Sequence, residues 1–503
     1  MKTAITRPIA LMTALLLIVT VFTSCGKKTV VEDEYYDVSG TASSSSQGED
    51  TNTESEGGTE STQTAQSNAD SSKQDTNAPK TNVNVKGYTF RVVDHNSAMW
   101  DKKSKDATDM LRQQILADVE KKLGCKIEVV TGFDYNKYFE TYQQKIMSGV
   151  KVGDIIAAPT YTMGQFLAAG MLTDVKKVNG LDLSKPYWNQ NVIKATTIGG
   201  KVYGVSNALY PHVKNIDGIY FNKKLLKEAT SEDLYKLAEQ KKWTFDKFME
   251  ICNAFKAKNP ASSGKYAFGG PDWEKSIAFF MAFGNKVLSA SGNKVEYVLN
   301  NSKTIDSVNK IKPLMVKGNL STDIAGQNFT TLMDAFAADK LLFFLGRSSY
   351  VEQSNLPQIR EMKSDFGFLP IPMGPGMSDY NNWVEWNSQT IVVPVTNKDL
   401  DKTGAILEEI AYQMHTKLYD KMISNFSDRY YRDDESVKML KLMDKTCAYD
   451  LIFTGAQGKT ELNAIIEQVI VKSCEDQSAD IAQALQSYDS AAKAAVNEFF
   501  NPR

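Results

Sequence analysis

"DMLRQQILADVEKKLGCKIEVV" occupies residues 109–130, and the change of period inside it decides the class of fold. Leu111, Ile115, Val119 and Leu123 recur every four residues, which puts them near one face of a helix. Gly124 follows, the residue best able to take the left-handed C-terminal cap, and "KIEVV" (126–130) then reads as a strand. "YTFRVV" (88–93) is a strand on the other side, so the stretch predicts a β-α-β unit.

The pattern continues outward. Short apolar runs predict strands at "DIIAAP" (154–159), "GIYFN" (218–222), "LLFFL" (341–345), "FGFLPIP" (366–372) and "TIVVPV" (390–395). In "KKWTFDKFMEICNAFKAKNP" (241–260), Thr244 is placed to cap a helix, Trp243 to pack on Phe248 as a hydrophobic staple, and Asn259-Pro260 to end it. Trp243 is therefore read as structural. The last third of the chain is mostly helical, with "TGAILEEIAYQMHTKLYDKMI" (403–423), "SVKMLKLMDK" (436–445), "TELNAIIEQVIVKSCED" (460–476) and "DIAQALQSYDSAAKAAVNEFF" (480–500). "SDRYYRDDES" (427–436) reads as a solvated loop and helix start. No internal repeat is present, and the body is an α/β structure in two lobes with a helical C-terminal segment.

Upstream, "MKTAITRPIALMTALLLIVTVFTSC" has a basic start and an apolar run from Pro8 to Phe22, followed by Thr23 and Ser24. This is the layout of an export signal, and the run is shorter than the ~20 residues of a membrane-spanning helix. "FTSC" resembles the lipobox of bacterial lipoproteins, which implies that residues 1–24 are removed and that Cys25 is acylated, with palmitate among its chains. Residues 25–85 are dominated by Ser, Thr, Asp, Glu, Asn and Gly and read as a disordered tether. About sixty flexible residues reach ~45 Å. The expected location is the outer face of the cell membrane, held by lipid.

Composition excludes other classes. A formal net charge of −2 argues against a general nucleic-acid binder. Cys125, Cys252, Cys447 and Cys474 form no CxxC pair, so a structural zinc is not expected and buried free thiols are. Neither a metal nor a cofactor is called for.

"GKVYGVSN" (200–207), "GIYFNKKLLKEA" (218–229), "KKWTFDKFMEI" (241–251), "FAADKLLFFLGRSSY" (336–350), "DFGFLPIPMGPG" (365–376) and "TIVVPVTNKDLDKTGAILEEIA" (390–411) resemble, in that order, the bacterial extracellular solute-binding proteins of ABC importers, the group of the maltose-binding protein. The resemblance implies a type II periplasmic-binding-protein fold, with chain crossovers between lobes and a ligand in the cleft. It implies lobe 1 at 86–207 plus 374–425 and lobe 2 at 208–373 plus 426–503. It further implies permease subunits as partners, a monomeric receptor and no enzymatic activity.

A pyranose offers apolar C–H patches and a rim of hydroxyls, so a site for it wants aromatic faces beside planar polar groups. "NWVEWNSQ" (382–389) alternates both, which makes Trp386, Glu385, Asn387 and Trp383 candidate ligand contacts. Other candidates follow predicted strands, where open α/β sheets place ligands. They are Asp94, His95 and Trp100 in "DHNSAMW", Tyr161 in "PTYTMGQ", Trp273 in "GGPDWEKS", and Arg347 and Tyr350 in "FFLGRSSY", where Gly346 allows close approach. Asp272 reads equally as a helix cap. Tyr210 and His212, in "NALYPHVKN", read as hinge or ligand residues. The readings are a carbohydrate receptor, an exported carbohydrate-active enzyme using carboxylates such as Asp94, Asp272, Glu274 and Glu385, or a receptor of the same fold for a non-sugar ligand.

Overall fold

The structure, a computed structural model, describes residues 75–80, 82–95, 98–104, 106–131, 137–324, 328–353, 356–385, 388–450, 462 and 464–500. The signal segment, Cys25, Trp386 and Asn387 lie outside the described residues.

The opening β-α-β unit forms as read. Strand β1 (Thr89–Val93) pairs in parallel with β2 (Lys126–Val130), and helix α1 (Ala107–Leu123) lies between them in sequence. Asp106 caps α1 by accepting from the Thr108 and Asp109 amides, and Gly124 closes it at φ 68°. Strand β3 (Ile155–Pro159) also runs parallel to β1.

The second set of strands is β4 (Asp217–Asn222), β5 (Tyr266–Gly269), β6 (Leu341–Arg347) and β7 (Phe366–Pro370). The chain then returns to the first sheet through β8 (Gln389–Val392), antiparallel to β3. The first sheet has the order β8-β3-β1-β2 and the second β7-β4-β6-β5. In the second, β4 is antiparallel to both neighbours and β5 is parallel to β6. Strands β7 and β8 are sheet edges and stop short of their apolar runs: after β7 the Ile371 amide turns to Asn382 Oδ1, and after β8 the chain pairs instead with Met171–Thr173. "YAFG" of β5 was too short to declare itself in the sequence.

Each sheet has its own core. Phe90, Val92, Ile115, Val119, Ile391 and Ile406 pack around the first sheet. Phe248, Phe268, Phe279, Phe343 and Trp243 pack beside the second, and Tyr220, Phe344 and Phe368 pack elsewhere against it. Helix α2 (Phe245–Lys258) begins as expected, with Thr244 accepting from the Lys247 amide and the Trp243 ring 5.8 Å from Phe248. The terminal helix, Ile481–Phe500, buries Ile481, Leu485 and Val496 in the core that holds Trp243 and Phe279.

Three features depart from the sequence reading. The tether does not run as far as Val85: Val85 is buried and Val83 half-buried on the first core, Lys185 donates to the Thr76 carbonyl and Tyr412 to Asp75. The alternation in "NVNVKGYTF" was a strand-like signal inside a polar stretch. Residues 374–384 belong with the second lobe, since Tyr380 and Trp383 lie in its core and Val384 bridges to Ile216. Finally, the helix starting at Leu400 continues to Tyr430, but with widened π turns at Met414–Tyr419 and Phe426–Tyr430.

Candidate functional site

On the first sheet the strand ends converge on Asp94, immediately after β1. Its carboxylate is fully buried and accepts from Trp100 Nε1 at 2.7 Å, Tyr210 Oη at 2.8 Å and Gln389 Nε2 at 2.7 Å. A buried carboxylate is tolerable only with such donors. Burial, then Asp94, push the Tyr210 phenol well up, so it stays a donor. His95 turns an edge to Tyr138 with ring centroids 5.7 Å apart. Burial lowers its pKa against the opposing pull of Asp94, which favours the neutral imidazole. Tyr161, half-exposed in the turn after β3, is near enough to act on the Tyr138 phenol.

The second sheet supplies a charged cluster at the corresponding end. Arg347 closes β6, and its cross-strand neighbour is Asp217 at the start of β4. Glu274 stands in the first turn of helix α3 (Asp272–Ala282), which follows β5. One guanidinium nitrogen of Arg347 meets Glu274 Oε1 at 3.1 Å and Glu385 Oε1 at 3.2 Å. Burial works against the Arg347 charge, but Glu385, Tyr350, Glu274 and Asp217 together outweigh it and hold the guanidinium charged. Asp217 is fully buried, and among the described residues neither of its oxygens takes a hydrogen bond. Burial, then Glu274 and Glu385, raise its pKa well above the usual carboxylate range in spite of Arg347.

The two clusters are tied by one short piece of chain. The Glu385 amide donates to the Asn215 carbonyl at the second sheet, and the Ser388 carbonyl accepts from the Thr160 amide at the first. Between Glu385, which faces Arg347, and Gln389, which faces Asp94, the chain can span at most about 14 Å. His212 braces the neighbouring crossover. Its Nε2 lies 2.7 Å from the Gln389 carbonyl and its Nδ1 meets the Tyr449 hydroxyl. Burial lowers its pKa to about 4, so the ring is neutral, and the carbonyl requires that Nε2 carry the proton.

The comparisons accord with this architecture. Residues 105–411 match the family model described as bacterial extracellular solute-binding protein. The chain belongs to that family.

Solved structures share the fold of this solute-binding protein at low sequence identity. The GacH receptor of Streptomyces glaucescens, solved unliganded and with acarbose, is 15% identical with a TM-score of 0.53, over 82% of this chain and 99% of that one. A cyclo/maltodextrin-binding protein complexed with maltotetraose is 16% identical with a TM-score of 0.56, over 82% and 98%. A cyclic α-maltosyl-1,6-maltose-binding protein from Arthrobacter globiformis is 14% identical with a TM-score of 0.59, over 82% and 100%. Comparison with curated protein sequences found no match. The fold is thus the type II periplasmic-binding fold, as the motif order implied.

Burial bears on several of the site expectations for this solute-binding protein. Trp383 is 1% exposed, packed in the second core with its ring 5.7 Å from that of Trp273, so it presents no open face. Tyr350 is 2% exposed and stacks on Phe329 and Phe344, supporting Arg347 from 5.8 Å. Gly346 admits that same ring, since a Cβ there would meet Tyr350 at 2.8 Å. Asp272 is no cap: it pairs with Lys275 at 2.5 Å and Lys317 at 2.6 Å. Asp94, Trp100, Tyr210 and His95 do come together, as do Arg347 and Glu385, while Trp273 is half-buried against Trp383.

Asp217 and Gln389 were missed as site residues. Asp217 looks like a turn residue before an apolar strand, and only its pairing with Arg347 reveals it. Two surface grooves of about 360 Å³ lie elsewhere and share Lys177, Lys398 and Leu400; the first also takes in Asp174 and Tyr203. Among the described residues there is no cluster of His, Cys, Asp or Glu arranged to hold a metal, and no helix long and apolar enough to cross a membrane. The four body cysteines are free thiols.

Proposed function

We propose that this protein is a lipid-anchored extracellular receptor that captures a carbohydrate between its lobes and hands it to an ABC importer. The observation that carries the reading is the pairing of the two strand-end clusters, Asp94 with Gln389 and Arg347 with Glu385, across four residues of chain. Carboxylates, amides and a guanidinium converging in this way suit a rim of hydroxyls, whose donors and acceptors all need partners once water leaves. Trp386 and Asn387 fall between the two clusters in sequence and are the proposed aromatic face and amide. The fold relatives bind maltotetraose, cyclic maltosyl-maltose and acarbose, which supports the saccharide class.

Crossovers tied by His212 and by residues 385–389 suit hinge closure around the ligand. Closure presents a loaded shape to permease subunits, and Cys25 holds the receptor at the membrane by two or more acyl chains. The receptor works as a monomer and does not turn its ligand over.

A glycan-library binding screen on the purified protein, followed by calorimetry and product analysis, tests this. Saturable binding of a saccharide without cleavage supports the reading; cleavage products would establish the enzyme alternative. Labelling with a palmitate analogue, lost in Cys25→Ser, tests the anchor.

A further inference from the structure

We propose that the cluster of Asp217, Glu274, Glu385 and Arg347 is a subsite for a positively charged amino group, so that the ligand is an amino sugar rather than a neutral one. This rests on the carbohydrate reading above and narrows it.

Three carboxylates surround a single guanidinium. Arg347 is shared by Glu274 and Glu385 through one nitrogen, and among the described residues no second cation acts on Asp217. Asp217 is fully buried, its two oxygens accept nothing from the described residues, and it is aimed at the cluster by its register opposite Arg347. Among the described residues Glu274 Oε2 also lacks a hydrogen bond, as does Arg347 Nε. The cluster therefore leaves acceptors and one donor unused, in a place where an unmade hydrogen bond is costly.

A neutral saccharide would leave the surplus negative charge buried. An ammonium has three donors and one positive charge, and meets the oxygens of Asp217 and Glu274 while reducing their repulsion. An adjacent hydroxyl can accept from Arg347 Nε. A vicinal amine and hydroxyl is the pattern of a 2-amino-2-deoxy sugar. The described residues hold no arrangement suited to a metal ion, which leaves an organic cation as the complement.

The test is calorimetry on the whole protein with oligosaccharides of glucosamine and galactosamine, beside their N-acetylated and plain hydroxyl counterparts. The expected result is binding of a free-amine sugar tighter by about tenfold or more than either counterpart, since a charge-assisted pair is lost on acetylation. Asp217→Asn and Glu274→Gln should each reduce that preference. If Asp217→Asn fails to fold, the wild-type ratios and Glu274→Gln still decide. Equal or better binding of the neutral sugar overturns the proposal and leaves the carbohydrate reading standing. Binding of spermidine with no saccharide bound overturns both, as does the absence of any saccharide binding.

Discussion

Replacing Asp217 by Asn should stabilise the ligand-free protein at neutral pH and leave it unchanged in acid. Burial, together with Glu274 and Glu385, raises the folded-state pKa of Asp217 well above the ordinary carboxyl value of 3.8. A carboxyl raised in this way binds its proton more tightly folded than unfolded. Its contribution to stability is therefore complete below the unfolded value and is lost as pH climbs through the folded value. Asn imitates the protonated side chain at every pH, so the variant and the wild type should diverge only on the alkaline side. The magnitude follows from the two oxygens that accept no hydrogen bond. A buried unsatisfied group costs about 1–3 kcal/mol, so a gain of about 1–3 kcal/mol is expected. Urea unfolding at about pH 4 and about pH 8 measures it, with the gap near zero at the first and full at the second. A gap independent of pH, or a variant less stable at the higher pH, would refute the reasoning. A stabilising change at a binding position would also mark a site where stability has been given up for function.

Other outcomes follow from the same geometry. Trp383→Ala should cost about 3–5 kcal/mol in urea unfolding, as loss of a sealed core indole does, and a loss of ligand affinity with stability intact would return Trp383 to the site. Asp94→Asn removes the charge that Trp100, Tyr210 and Gln389 donate to, and should cost about 1.5–3 kcal/mol of stability; an unchanged melting curve would mean that those three bonds are not made together. Trp386→Ala should weaken the saccharide by more than about 1 kcal/mol in calorimetry, and unchanged affinity would remove Trp386 from the site. His212 titrates at about 4 when buried, so below neutral pH the protein should lose stability as the unfolded imidazole takes up a proton; His212→Gln should flatten that part of the pH profile.

Much was legible in the order of residues alone. The β-α-β opening, the Gly124 stop, the Trp243 staple and the seven strand runs are local matters, because the 3.6-residue and two-residue periods and the chemistry of caps act over a few neighbours. Motif order along the chain was enough to imply the family. What only the tertiary structure decided was which of two equally apolar faces each aromatic residue would meet. Trp383 and Tyr350 sit beside polar residues in sequence, but Trp383 is sealed by Trp273 from a distant segment and Tyr350 by Phe329 together with Phe344 of the preceding strand. Asp217 was silent for the same reason: its neighbours in sequence say turn, and its neighbours in space, Arg347, Glu274 and Glu385, arrive from three other parts of the chain. Burial and electrostatics are sums over everything within a few ångströms, and most of those contacts are made by residues the local sequence does not contain.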